Sequence, residues 1–562
     1  MKAQPLTDDQ VLAAIEAEES AAYGLLATEL AEQRESAMDR YLGRPYGNEV
    51  VGRSQIVSSD VADAVEWILP DLLEIFLSGD EIVRFGAKGP EDQAQAEQES
   101  DYINNVVMME CHGEEHIRDA VHDALRIRNG ILKWWWEKST EVKTTTHTGI
   151  TIEALTGLMT DKATGEPDPE IEVIEQSQDE YGAYTVKLRR TCKKGRVQFC
   201  CIPAEEFFIS PDALMIDDAI FTAHNQRLKR FQLVAMGHDR EQVANLKAFS
   251  GTLEREFEEA TRRDDQSLKR NAERRKDMEE IDYWECFVRV DVDDDGIAEM
   301  RRIVMAGGWD KSCILENEEY DEAPFTDLVI ERRPHEWQGR SLFDDVYDIQ
   351  RVKTVLLRST LDNIYWQNNL QPIFQEGVVT NPDALMAPKF GMPIRVARGT
   401  PQSEAVGYNV VPFVAKQSFE MLGYMDDALT DRTGINDNSG GLPPDALQNV
   451  TAKASALMEQ QGISQVELMV RNVAVGLKRL FRGLLKLIIQ HQDQSRTVKL
   501  RDQWVQFDPK SWNADMDATV NVGLGAGTRE RDMMAMQIVA ATQEKLLMAL
   551  GADDNPYVSP EN

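Results

Sequence analysis

Apolar residues recurring every three or four positions dominate the first hundred residues. VLAAIEAEESAAYGLLATEL reads as a helix capped by Asp8 or Asp9, whose carboxylates suit the free N–H groups of a helix start. A Gly/Pro-bearing link, YLGRPYGNEVVGRS, follows. Then Val61, Val65, Ile68, Leu69, Leu72, Leu73 and Phe76 form one helical stripe. Pro70 sits inside it and is expected to kink or restart that helix. Residues 91–128 read as further helix. From Ile131 the pattern becomes strand-like. KWWWEKSTEVKTTTHTGITIEAL and AYTVKLRRTCKKGRVQFCCIPAEEFFI are rich in aromatic and β-branched residues, predicting a β-rich insertion over about 131–210. A charged helical segment is expected from Phe231 to Asp277. Two strand runs flank DDDG in DYWECFVRVDVDDDGIAEMRRIVMAGG, which predicts a hairpin over 281–307.

Two long helices are expected in the C-terminal half. Leu342, Val346, Ile349, Val352, Leu356, Ile364 and Trp366 mostly keep helical spacing from about Ser341 to Leu370, roughly 45 Å at ~1.5 Å per residue. The second runs from about Ser464 to Gln490, with Val466, Val470, Val473, Leu477, Leu480, Phe481, Leu484 and Ile488 on its apolar side. The stretch between them, from QPIF to VVPF, is short-stranded and rich in Pro and Gly. No internal repeat is evident. The fold class expected is α+β.

Composition narrows the reading. The chain has 562 residues, beyond the ~250–300 at which single cores stop growing, so several structural units are expected. It carries 97 Asp+Glu against 61 Lys+Arg, a formal charge of −36. Wrapping DNA or docking on anionic lipid needs clustered cations, so both are disfavoured. A surface that DNA slides past without sticking remains compatible. Six cysteines without a CxxC pair are too sparse for a disulfide framework and read as reduced thiols. Cys200 and Cys201 would face opposite sides of a strand. MKAQPLTDDQ lacks an apolar leader core, and no run of ~18 apolar residues predicts a membrane span. The most apolar stretch, Leu477 to Ile489, is broken by Lys478, Arg479, Arg482 and Lys486.

Candidate chemistry is sparse. DVDDDGIAE, with Asp291, Asp293 and Asp295, matches the first half of a calcium loop, but Arg302 stands where the bidentate Glu belongs and the flanks are strands. A solvated hairpin turn is the better reading; a weak cation site held by these aspartates with Glu299 is the alternative. GLGAGTRERD lacks the GK[ST] of a phosphate loop. No HExxH or GxSxG occurs, and no catalytic constellation can be assembled. Trp134–Trp136 with Lys133 and Lys138 either stack bases or, the better reading, pack within a sheet. Arg471, Lys478, Arg479, Arg482 and Lys486 all lie on the last long helix. They are either a solvated face paired with acidic neighbours or a contact for phosphate or a neighbouring acidic subunit.

Several ordered blocks resemble portal proteins of tailed bacteriophages, of the short-tailed type. GRSQIVSSDVADAVEWILPDLLEIF (Gly52 to Phe76) is similar to the family's N-terminal signature. IPAEEFFISPDALMIDDAIFTAH (Ile202 to His224) and VRVDVDDDGIAEMRRIVMAG resemble later blocks. RRPHEWQGRSLFDDVYDIQRVKTVLLRSTLDNIYWQNNLQP resembles the entry into the first stem helix. ALTDRTGINDNSGGLPPDALQNVTAKASALMEQQ resembles the end of the second stem helix with the tunnel loop and helix. The likeness covers about residues 40–535. An extended C-terminal barrel, carried by some members, is not expected.

The resemblance implies a portal fold assembled as a ring, usually of twelve subunits, at one capsid vertex. Its parts would be a mixed α/β wing (1–335), a stem (341–370 and 416–432), a clip (371–414), a tunnel loop and helix (433–461), a crown helix (462–494) and a returning C-terminal segment (495–562). It implies double-stranded DNA passing through the channel, and docking by the terminase large subunit and then a tail adaptor. Capsid and scaffolding proteins would be further partners. It implies assembly in the host cytoplasm, a place in the virion, no cofactor and no enzymatic activity. Lys389, Arg395 and Arg398 give the clip a local positive character suited to docking. Asn436, Asn438, Gln448, Asn449 and Lys453 are the expected DNA-facing tunnel residues. Two rivals stand beside this reading: a metal-dependent nuclease using the DVDDDG carboxylates, and a virion structural protein other than the portal.

Overall fold

A computed structural model describes residues 7–25, 30–77, 82–87, 93–159, 171–178, 184–249, 275–293, 296–374, 377–386, 391–399, 401–413, 415–434, 452–492, 496–500, 503–507, 512 and 517–520. Helix α1 (Asp8–Leu25) starts directly after Thr7; the side chains of Asp8 and Asp9, the expected caps, lie outside the described ones. The Thr7 carbonyl accepts from the Gln10 and Val11 amides, and its own amide donates to Gln10 Oε1 at 3.0 Å. Helix α2 (Ala31–Tyr41) precedes α3 (Asp60–Leu77), which runs on through Pro70 without a restart. Pro70 lies on the exposed face, while Val61, Val65, Ile68, Leu72 and Phe76 are buried on either side of it, so continuous packing outweighs one lost hydrogen bond. Strand β1 (Val83–Gly86) leads to α4 (Gln93–Tyr102), which continues through a π turn at Ile103–Val107 to Glu110, and then to α5 (Gly113–Ile127).

The strand-rich region forms two antiparallel sheets. Its elements are β2 (Asn129–Ile150), α6 (Ile152–Met159), β3 (Ile171–Gln178), β4 (Tyr184–Ile202), β5 (Phe207–Ile209), β6 (Phe221–Lys229), α7 (Arg230–Ala235), α8 (Arg240–Asn245), β7 (Glu280–Val290), β8 (Glu299–Ala306), β9 (Ile314–Glu319) and β10 (Phe325–Val329). One sheet has the order β10-β2-β4-β3 and the other β5-β6-β7-β8-β9. β7 and β8 pair as the hairpin around DDDG. Of the helical stretch expected over 231–277, α7 and α8 are two short pieces, and residues 250–274 lie outside the described residues. Alternation along β2 sends Leu132 and Trp134 into the helical core, and Ile131 toward the other sheet with Phe207, Phe287 and Phe325. Cys201 and Cys200 divide the same way, as their adjacency predicts.

A buried ion cluster pins the two sheets. Lys133 Nζ of β2 donates to Glu285 of β7 and lies 3.0 Å from His224 Nδ1 of β6. Arg302 of β8 donates to Glu285 Oε1 and to Glu316 Oε2, each at 2.6 Å. Burial alone would raise the Glu285 carboxyl pKa, but Lys133 and Arg302 outweigh it and hold it at about 2.

After a two-residue ladder, β11 (Glu331–Arg332) with β12 (Gly339–Arg340), the chain enters α9 (Leu342–Asn368) through a capping box between Ser341 and Asp344. A small module follows: β13 (Gln371–Phe374), α10 (Asp383–Met386), α11 (Gln402–Ala405) and β14 (Val406–Asn409), with β13 paired to β14. Helix α12 (Ala415–Thr433) returns along α9. Helix α13 (Ala452–His491) starts well before the periodicity predicts, so one helix crosses the boundary expected at 461/462. Its apolar side is buried as its spacing predicts, from Val470 to Ile488. Two glycines let it approach the first sheet. A Cβ on Gly476 would stand 2.3 Å from the Asp327 carbonyl oxygen, and one on Gly483 would stand 2.3 Å from the Trp134 ring. β15 (Arg496–Leu500) pairs with β16 (Gln503–Phe507), and β17 (Asp517–Val520) returns to pair with β1. Among the described residues no helix is long and apolar enough to cross a membrane.

Candidate functional site

The α9–α12 pair and the module at its end form the most distinctive surface. Arg432 near the end of α12 donates to Asp348 at 2.6 Å and to the Asp345 carbonyl at 3.0 Å, both in the first half of α9. Asn363 and Gln367, late in α9, donate to the Pro412 and Val411 carbonyls just before α12, each at 3.1 Å. The helices are therefore antiparallel. Lys353 of α9 lies between them and α3, donating to Asp60 and, at 2.6 Å, to Asp426. Burial opposes its charge, but the two carboxylates outweigh burial and raise its pKa.

The apolar residues of α9 fall into two groups. Leu342 and Val346 are buried in the main core, Ile349 is buried as well, and Leu356 and Ile364 farther along that stripe are half-buried. Val352, Val355, Tyr365 and Trp366, on another face of the helix, are exposed. On α12, Phe419 and Tyr424 are exposed too, Tyr424 by 63%, and in the module Val410 is 75% exposed. Large apolar side chains are thus exposed on both helices of the pair and on the module.

The sequence-predicted docking cations fall in this module. Arg395 and Arg398 are exposed on the strip facing residues 378–381; Lys389 lies outside the described residues. The Arg395 backbone is fixed: its amide donates to Asn381 Oδ1 at 2.7 Å, and its carbonyl accepts from the Thr380 amide at 2.9 Å. Its side chain is thus carried by an anchored strip. Of the expected tunnel residues, Asn436, Asn438, Gln448 and Asn449 lie outside the described residues, and Lys453 falls in the first turn of α13.

Arg479 pairs with Asp217 at 3.2 Å and with buried Asp327 at 3.5 Å. Lys486 pairs with Glu322 at 2.8 Å. These two hold α13 to its own chain, across 150 or more residues of sequence, which is why the helix sequence alone gives no sign of their partners. Arg471 and Arg482 are exposed and Lys478 is half-buried. Trp134 is buried against Gly483, and Trp136 stacks on His491 with ring centroids 5.4 Å apart, so these rings pack within the chain. At the β7–β8 turn, ligand atoms of Asp291, Asp293 and Glu299 lie within 4.8 Å of one another. Asp291 Oδ2 accepts from the Gly296 amide at 2.8 Å and Glu299 Oε2 from the Val292 amide at 3.1 Å. Both bonds are those of a hairpin turn whose Gly296, at φ 92°, needs the left-handed region. Asp295 lies outside the described residues.

No curated protein matches the chain. The sequence model of the phage SU10 portal protein family matches residues 11–562. That match runs through both sheets, the α9–α12 pair, the module and α13, and so the chain belongs to the phage SU10 portal protein family, among the portal proteins of tailed bacteriophages.

Proposed function

We propose that this protein forms the portal ring at one vertex of the capsid, a structural conduit through which double-stranded DNA enters during packaging and leaves on ejection. In this reading the helices and sheets before α9 are the wing, and α9 with α12 are the stem. The module between them is the clip, which receives the terminase large subunit and later a tail adaptor. Residues 433–461 make the tunnel loop and helix, α13 from about 462 is the crown helix, and the segment after it returns to the wing. Capsid and scaffolding proteins are the other partners.

The carrying observation is that α9 buries Leu342 and Val346 in the chain's own core while a second face leaves Val352, Val355, Tyr365 and Trp366 exposed, beside the exposed aromatics of α12. A stem helix standing among copies of itself needs a second apolar face, which a monomer leaves in water. The charge supports a conduit: twelve copies at −36 carry about −430, a field that repels phosphate and leaves DNA without fixed binding sites. Catalysis is assigned to a separate motor protein. Light scattering on the purified chain tests the reading: assembly near twelve copies is expected, and a stable monomer at high concentration overturns it.

A further inference from the structure

The link between α2 and α3 is strapped to α9. Arg358 Nε donates to the Ile56 carbonyl at 2.8 Å, and its other nitrogens to Asn48 Oδ1 at 3.0 Å and Glu49 Oε1 at 2.5 Å. The Ser54 amide donates to Asp362 Oδ1 at 2.7 Å and the Ser58 amide to Thr354 Oγ1 at 3.1 Å. Thr354, Arg358 and Asp362 are four apart and so share one stripe of α9. The residues of α9 that hold α12 and the chain leading into it are Asp345, Asp348, Lys353, Asn363 and Gln367. At ~100° per residue the two groups are centred about 150° apart, so strap and α12 grip largely opposite sides of α9.

The strap ends in a braced apolar tip. The Arg53 amide closes a turn onto the Val50 carbonyl at 3.1 Å, with Gly52 at φ 86°. Val51 is 94% exposed, Val50 is exposed beside it, and the Arg53 side chain is exposed as well. A loop held by this many polar bonds, yet presenting a bare valine, is ordered in advance of a partner. The outward stripe of α12 is complementary: Glu420, Tyr424 and Asp427, spaced four and three apart and all exposed, set an aromatic ring between two carboxylates.

We propose that the Val50–Arg53 tip is a peg that docks on α12 of a second copy of this chain, Val51 against the Tyr424 ring and Arg53 toward Glu420 and Asp427. Such a peg exists only if the chain forms the ring proposed above. In a closed ring each copy offers one face to the copy before it and a different face to the copy after it. Strap and α12, on largely opposite sides of one helix, are two such faces.

The test pairs Val51→Cys with Tyr424→Cys in the full-length protein, oxidised with copper phenanthroline and run on a non-reducing gel. A ladder of covalent multiples is expected from the double variant, lost on reduction, with neither single variant going beyond the wild-type background. Ring-sized particles that yield no ladder overturn the peg and leave the ring standing. A monomer by light scattering overturns both. A covalent bond from position 51 to a different virion protein, in place of the ladder, overturns the choice of partner. Charge gives an independent arm: Arg53→Glu is expected to raise the concentration needed for assembly at least several-fold, and adding Asp427→Arg to restore it. Assembly of Arg53→Glu at the wild-type concentration contradicts the peg.

Discussion

Gly476→Ala asks whether α13 seats on the first sheet as closely as its glycines indicate. Helix propensity alone favours the change by about 1 kcal/mol, since alanine is the better helix former. The contact opposes it. The new Cβ would stand 2.3 Å from the Asp327 carbonyl oxygen and 2.6 Å from Leu328 Cδ2, where ordinary contact begins at 3.4 Å. The carbonyl belongs to β10, which is paired with β2 and cannot rotate away, so α13 must lift by about 1.1 Å. Overpacking costs ~1–3 kcal/mol, and a 1.1 Å overlap with a fixed backbone carbonyl belongs in the upper part of that range, ~2–3 kcal/mol, which leaves a net loss of about 1–2 kcal/mol after the propensity gain. Hydrogen exchange reads the loss locally: amides of α13 should exchange about 5- to 30-fold faster. Gly423→Ala is the control, because nothing lies within 4 Å of its Cβ on α12. There the propensity gain stands alone, and exchange should slow by up to about 5-fold. Unchanged or slower exchange in α13 of Gly476→Ala would refute the close approach.

Glu285→Gln leaves Lys133 and Arg302 without their shared carboxylate, and the two-sheet unit should lose ~3–5 kcal/mol, read as a lower unfolding midpoint. The pH dependence has a definite sign. The folded Glu285 pKa, about 2, lies below the ordinary carboxylate range, so its stabilisation is present above pH ~5 and is lost as pH falls through 4 toward 2. An acid titration of tryptophan fluorescence should show that loss in the wild type and a smaller one in the variant. Charge reversal at Lys389, Arg395 and Arg398 should leave rings intact and weaken terminase binding in a pull-down; failed ring assembly would instead place these cations against the next subunit. Deleting residues 436–441 should spare ring assembly and impair packaging or retention of the genome, measured as protected DNA per particle.

Periodicity carried much of the fold. The stripe of α13 is buried from Val470 to Ile488, with Val466 partly so, the hairpin around DDDG forms, and α9 lies close to its predicted ends. What periodicity missed depends on contacts distant in sequence. Pro70 does not break α3 because the core holds the helix on both sides of it. Arg479 and Lys486 look like loose cations until Asp217, Asp327 and Glu322 stand beside them. The strap is the extreme case, since Arg358 meets Asn48 and Glu49 across about 310 residues. Of the docking and tunnel residues, only Arg395 and Arg398 have both position and exposure to compare, because Lys389 and the asparagines and glutamine of the tunnel segment lie outside the described residues.

The ring itself is tested most directly by electron micrographs of the purified full-length protein. The account predicts closed rings of about twelve copies around a central hole, with α9 and α12 lining up side by side about the axis. Particles no larger than a monomer, or assemblies without an axial opening, would contradict it.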